Sequence, residues 1–223
     1  MKDIFLLDMD ETLLDFSRAE EANFFWALAS FGVQADRGVY ERFHVINDSL
    51  WKALERGETT REEIMHRRFE LLFAEYGFTA DPDAVALAYF ENFTNVCFPY
   101  AGAADFLKTL SERGRVYIVT NGSTGIQKRH IKDAGFEPYL TGVFISEEMG
   151  VYKPAKEYAD YVKAHVEDFE EARAIWLGDS LTSDMGCANN ANVDFVLFAP
   201  KGKPQGYAGK WVANYDDFLK LIE

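Results

Sequence analysis

Short apolar runs that stop abruptly in polar clusters recur along this chain. Ile4-Phe-Leu-Leu7 ends at Asp8, Val116-Tyr-Ile-Val119 at Thr120-Asn121-Gly122, and Ala174-Ile-Trp-Leu177 at Gly178-Asp179. Gly142-Val-Phe-Ile145 and Asp194-Phe-Val-Leu-Phe198 have the same texture, and Trp211-Val212 is a shorter version of it. Apolar runs of this length without polar alternation predict strands buried on both faces, the habit of a parallel sheet. Between them lie segments of helical periodicity. Ala103 to Arg113 is stopped by Gly114, Thr124 to Ala134 follows the second run, and a third segment runs from Lys153-Pro154 to about Val166. Thr182 to Asn190 is a short helix, and Asn214 caps a terminal one. Strands and helices alternating at this spacing predict an α/β fold with helices on both faces of the sheet.

One stretch breaks the alternation. From Leu14 to about Val96 the pattern is helical throughout. Ala22, Phe25, Trp26 and Ala29 form a first stripe, ended by Gly32, and Phe43, Ile46, Leu50 and Leu54 a second, ended by Gly57. Thr60 with Glu63 reads as a capping box opening a third helix, with Met65, Phe69, Leu72, Phe73 and Tyr76 on one face and Gly77 as its stop. Asp81-Pro82 opens a fourth, carrying Val85, Ala88, Tyr89 and Phe93. Four amphipathic helices with short joints predict a small bundle. The division expected is an α/β core of residues 1–15 and 97–223 with a helical insertion, residues 16–96, after the first strand.

Composition narrows the class. The chain has 223 residues, 48% of them hydrophobic and 15% aromatic, enough for a well-filled core. Its formal net charge of −14 gives it no electrostatic reason to hold a nucleic-acid polymer or an anionic membrane surface. A small phosphate ester stays open, because a bound cation and a few donors can outweigh the global charge. Cys97 and Cys187 form no C-x-x-C and sit among apolar or small neighbours, so both are expected as buried free thiols. Asp3, Asp8 and Asp10 interrupt any signal-peptide core, and no uncharged run reaches membrane-spanning length. A cytoplasmic protein is expected.

The candidate chemistry lies where the strands end. Asp8 and Asp10, two residues apart, point to one face, and carboxylates that close need a cation, a shared proton or solvent. In open α/β sheets ligands bind outside the carboxyl ends of the strands, which is where Asp8, Thr120 and Asp179 fall. Asp184 lies near the start of the following helix. Asp8, Asp10, Asp179 and Asp184 are oxygen donors of the hard kind that suits Mg²⁺; a solvated acidic rim fits the bare residues equally well.

Four ordered segments, Asp8-Met-Asp10-Glu-Thr12, Thr120-Asn121-Gly122, Lys153-Pro154 and Gly178-Asp179-Ser180-Leu-Thr-Ser-Asp184, resemble the motifs of the haloacid dehalogenase-like (HAD) hydrolases. Asp10-Glu-Thr-Leu-Leu-Asp-Phe16 and the last segment most resemble the pyrimidine 5'-nucleotidase branch. The resemblance implies a Rossmann-like core with a helical cap, and a Mg²⁺-dependent phosphomonoesterase working through an aspartyl-phosphate. It makes Asp8 the nucleophile and Asp10 the general acid and base. Thr120, Asn121, Gly122 and Lys153 bind the phosphoryl group, with Lys153 also offsetting charge on Asp8. Asp8, the Asp10 carbonyl, Asp179 and, less directly, Asp184 hold the metal. The substrate implied is a small phosphorylated metabolite, a nucleoside 5'-monophosphate by the closer resemblance.

The same residues bear on other classes. Asp10 argues against halide displacement, which protonates no alkoxide, and against a receiver-like module that is merely phosphorylated on Asp8. Phosphatases or phosphomutases of other metabolites, such as sugar phosphates or phosphoglycolate, share every motif. Gly178-Asp-Ser-Leu181 spells an esterase signature, but no histidine follows His165 to serve it. His44, His66, His130 and His165 lack metal-ligand spacing and are expected on the surface or in packing. Of the cap aromatics, Phe24, Phe25, Trp26, Phe43 and Trp51 are expected mostly in the bundle core.

Overall fold

The computed structural model describes residues 2–223. By contact density the chain divides into two compact units, residues 1–15 with 98–223, and residues 16–97.

The first unit opens with β1 (Ile4–Leu7), whose four residues are all completely buried. Each such side chain contributes about 1.5–3 kcal/mol by leaving water. After the insertion come α5 (Ala103–Ser111), β2 (Arg115–Thr120), α6 (Thr124–Asp133), β3 (Gly142–Ile145), the single turn α7 (Ser146–Met149) and α8 (Lys156–His165). Then follow β4 (Ala174–Gly178), α9 (Ser183–Ala191), β5 (Asp194–Phe198), β6 (Trp211–Val212) and α10 (Tyr215–Leu221). The numbers α1 to α4 belong to the helices of residues 16–97.

All six strands are parallel in the order β3-β2-β1-β4-β5-β6. β1 therefore lies between β2 and β4, with Leu7 level with Ile118 on one side and Leu177 on the other. That register sets the ends of three strands side by side, at the point where the strand order reverses direction. This is the crevice at which such sheets bind ligands. Beneath one face, Ile4, Leu6, Val119 and Trp176 pack with Tyr158, Val162 and Cys187. Elsewhere Phe106 stacks on Tyr215 with ring centroids 4.4 Å apart. The chain crossing at residues 13–15 and 98–100 is knit by main-chain bonds, Asp15 N to Phe98 O at 2.8 Å and Tyr100 N to Leu13 O at 3.0 Å.

The second unit is four helices, α1 (Phe16–Ser30), α2 (Arg37–Glu55), α3 (Arg61–Tyr76) and α4 (Pro82–Phe93). Asp36 caps α2 by accepting from Val39 N at 3.1 Å. Thr60 and Glu63 form the expected capping box, Asp81 caps α4 ahead of Pro82, and Gly77 ends α3 in the left-handed conformation that favours glycine. The predicted face of α1 is wrong. Ala22, Trp26 and Ala29 are exposed and Phe25 is only half-buried, whereas Ala19, Glu20, Asn23, Phe24, Ala27 and Leu28 point inward. Polar Glu20 and Asn23 made the true buried face read as the wet one. Their hydrogen bonds are internal: Glu20 accepts from Asn47 at 2.6 Å and from Tyr40 at 3.2 Å, and Asn23 donates to Tyr89 O at 2.7 Å. In α3 the same error is smaller. Ile64 and Arg68 are buried in place of Met65 and Tyr76, with the Arg68 guanidinium 4.5 Å from the centre of the Tyr89 ring. Ala86 takes the place of Ala88 in α4. Trp51 is half-buried, and Cys97 is too, whereas Cys187 is buried; both thiols are free. No helix among the described residues is long and apolar enough to cross a membrane.

Candidate active site

β1 delivers Asp8 to the sheet edge, where its N–H donates to Leu177 O at 2.9 Å. The side chain is almost wholly buried at 6% exposure. Lys153 reaches it from the loop before α8, Nζ donating to Asp8 Oδ1 at 2.6 Å, to Asp184 Oδ1 at 2.6 Å and to Val119 O at 2.9 Å. All three ammonium protons thus have acceptors inside the protein. Asn121 fixes the lysine's main chain from both sides, donating Nδ2 to Lys153 O at 2.9 Å and accepting Lys153 N at 2.8 Å. The Lys153–Pro154 peptide bond is cis.

Asp184 projects from the first turn of α9 back under the end of β4. Its Oδ2 accepts from Ser180 N at 3.1 Å, and its Oδ1 lies 3.4 Å from Trp176 Nε1. The approach needs a glycine at 178, where a Cβ would lie 2.3 Å from the Asp184 carboxyl. Asp179, the next residue, reaches solvent although protein crowds it on most sides. Thr120 ends β2, and its hydroxyl accepts Gly122 N at 3.0 Å. Asp10 lies two residues past Asp8 on the loop that Glu11 turns in the left-handed region, at φ +59°. Its Oδ2 accepts from Gln127 Nε2 on α6 at 2.7 Å.

The electrostatics follow from the inventory. Burial works against the Lys153 ammonium; Asp184 and Asp8 outweigh it and hold its pKa well above that of an ordinary lysine. One ammonium cannot balance four acids. Burial, then the charge of Asp184, pushes the Asp8 carboxyl up despite Lys153, and burial followed by Asp8 and Asp184 does the same to Asp179. Asp10 is also raised, by burial first, with His130 and Gln127 pulling the other way.

Carboxylate oxygens of Asp8, Asp179 and Asp184 lie within 4.8 Å of one another. An all-oxygen set, crowded and under-neutralised, fits a hard divalent cation. Asp184, with both oxygens already engaged, fits a supporting place and Asp179 a direct one. The carboxylate of Asp10 is not among those three. Among the histidines, His130 is buried, while His44 and His66 pair with Glu20 and Asp83 at 2.6 and 2.7 Å. Among the described residues no histidine joins an acidic cluster of metal-binding geometry. Sequence reasoning missed Gln127, because a lone polar residue on a helix ordinarily means a solvated face.

The model of the haloacid dehalogenase-like hydrolase family matches residues 2–192. The chain belongs to the haloacid dehalogenase-like hydrolases. Within them it is 33% identical to the pyrimidine 5'-nucleotidase PynA of Streptococcus pneumoniae, over 98% of this chain and 94% of that one. It is 26% identical to the pyrimidine 5'-nucleotidase YjjG of Escherichia coli, over 95% and 93%. The magnesium-bound crystal structure of the HAD-hydrolase YfnB of Bacillus subtilis superposes with a TM-score of 0.93 at 29% identity, covering 99% of this chain and 98% of that one. The parallel core is thus that of a HAD hydrolase, and two of the relatives it resembles are pyrimidine 5'-nucleotidases.

Proposed function

We propose that this HAD hydrolase is a Mg²⁺-dependent phosphomonoesterase of the 5'-nucleotidase type, working through an aspartyl-phosphate on Asp8. The observation that carries the reading is the second acid. Asp10 stands two residues past the nucleophile on the same loop and is held by a neutral amide, with its pKa raised by burial. An ordinary aspartate, at ~3.9, is a poor donor near neutral pH; a half-buried one with a neutral partner and a raised pKa is a better acid. Substitution of a halide would have no use for it.

The steps fall to this chain's own groups. Asp8 attacks phosphorus, and the bond from phosphorus to the ester oxygen breaks. Asp10 gives its proton to that oxygen as the alcohol leaves. The Asp10 carboxylate then takes a proton from water, which attacks the phosphorus of the aspartyl-phosphate. Phosphate departs and Asp8 is restored. The Thr120 hydroxyl accepts Gly122 N, so its own proton is left to donate to a phosphoryl oxygen. The main-chain N–H of Asn121 would be a second donor to the phosphoryl group, while Gly122, whose N–H is engaged by Thr120, serves by holding that hydroxyl in place. Lys153 keeps its ammonium on Asp8, where it also meets the charge of the incoming phosphoryl group. Asp8, the Asp10 carbonyl, Asp179 and, less directly, Asp184 would hold Mg²⁺. When bound, the ion supplies the positive charge that brings two anions, nucleophile and phosphoryl group, together.

A nucleoside 5'-monophosphate is the substrate class we favour, supported by the near full-length kinship to PynA. A panel of nucleotides, sugar phosphates and phosphoglycolate, assayed with Mg²⁺ and with EDTA, tests both parts. Phosphate release should be fastest from pyrimidine nucleoside monophosphates and fall below a tenth in chelator. Full activity in EDTA would remove the metal from the reading; a sugar phosphate turned over fastest would remove the nucleotide.

A further inference from the structure

The mechanism leaves one buried residue at the site without a task. Gln127, in the first turns of α6, is only 2% exposed. Its main-chain N–H is fixed to Ser123 O at 2.8 Å, and its side-chain Nε2 donates to Asp10 Oδ2 at 2.7 Å. Oε1 of the same amide is buried and has no hydrogen-bond partner among the described residues. Half of a buried amide left unsatisfied costs about 1–3 kcal/mol, so an apolar side chain would fill the space better if packing were its only duty. The chain also makes room for the amide. A Cβ at Gly122 would lie 1.9 Å from Gln127 Nε2, so any larger residue there would push Gln127 off Asp10.

We propose that Gln127 is a positioning residue that clamps Oδ2 of Asp10 and so turns Oδ1 toward the ester oxygen of the substrate. The assignment rests on the reading of Asp10 as the proton donor. An N–H donor on Oδ2 leaves the transferable proton on Oδ1. From there it passes to the leaving oxygen as the phosphorus–oxygen bond breaks, and the proton from the attacking water returns to the same atom. Gln127 itself neither gains nor loses a proton. Fixing a proton donor in one orientation is worth one to two powers of ten when the group sits on the reaction path.

The test is a double-mutant cycle of Gln127→Met and Asp10→Asn, with Gln127→Ala as a second variant should methionine disturb the fold. Each protein is assayed on a nucleoside 5'-monophosphate in the steady state and on p-nitrophenyl phosphate in the first burst. Gln127→Met should lower kcat on the alkyl ester about 10–100-fold with KM within about twofold. The loss should be smaller in the nitrophenol burst, whose leaving group needs little protonation, and absent when Asp10 is already Asn. A loss of equal size in both Asp10 backgrounds, equal slowing for both leaving groups, a raised KM at unchanged kcat, or no change at all would each overturn the assignment. Failure of the underlying reading looks different: Asp10→Asn itself would keep full activity on the alkyl ester. A dead Asp10→Asn beside undisturbed Gln127 variants removes only Gln127.

Discussion

Both units of this protein bury charge, and they do so in different ways. In the α/β unit Asp8, Lys153 and Asp184 converge at the ends of adjacent strands, where parallel register and short loops leave one arrangement. The acids there outnumber the cations, so the site is unbalanced by construction and poised for a cation and an anionic substrate. In the helical unit Glu20, Asn23, Asn47 and Arg68 are buried among aromatic rings, and the hydrogen bonds of Glu20 close on themselves. On the proposed reading the first cluster serves chemistry; the second is a polar core within the helical unit. The contrast teaches that burial of charge alone does not mark a catalytic site; what sets the α/β cluster apart is its excess of acids at the ends of the strands.

The largest effect separating the two should come from Asp8→Asn. The amide cannot attack phosphorus, so kcat should fall more than about a thousandfold while far-ultraviolet circular dichroism and the unfolding midpoint stay near wild type. A variant keeping over a tenth of wild-type activity would break the comparison on the α/β side. Glu20→Ala should act the other way, through stability. It strands the Asn47 amide N–H inside the bundle, whereas the Tyr40 hydroxyl keeps Ser17 O, a loss of about 1–3 kcal/mol in denaturant unfolding. A loss under about 0.5 kcal/mol would show that the network is ornamental and that polar burial in the helices is cheap.

How legible these clusters are in the sequence differs for the same reason. β1, β2 and β4 are short apolar runs that end in acids or Thr-Asn-Gly, so strands and site residues announce themselves together. The helix caps were equally plain, since Thr60, Asp81 and Gly77 act within one turn. The face of α1 was not. Periodicity assigns Glu20 and Asn23 to water because their partners lie on other helices, far along the chain. Gln127 escaped in the same way: its partner, Asp10, is 117 residues away.

The smallest expected effect concerns the partly exposed pair that ties the chain's start to the strand before the site. Arg173 holds the Asp3 carboxyl below the usual aspartate range, chiefly through its hydrogen bonds. A depressed carboxyl stabilises the fold above its unfolded pKa, and the contribution fades as pH falls through the lower folded value. Asp3→Asn should therefore lower stability at pH 7 by less than about 1 kcal/mol, and the difference from wild type should shrink as pH falls through the lowered folded value. A gap that widened in acid would reverse the sign and discard the pair.

The claim that holds the account together is the covalent step on Asp8. Asp10→Asn protein mixed with p-nitrophenyl phosphate and Mg²⁺ should be phosphorylated faster than it is hydrolysed, since attack needs little acid and water has lost its base. Rapid quenching and intact mass spectrometry should show one phosphoryl group per chain, and peptide mapping should place it on Asp8. Nitrophenol released in repeated turnovers with no phosphoryl group ever found on Asp8 would contradict the mechanism.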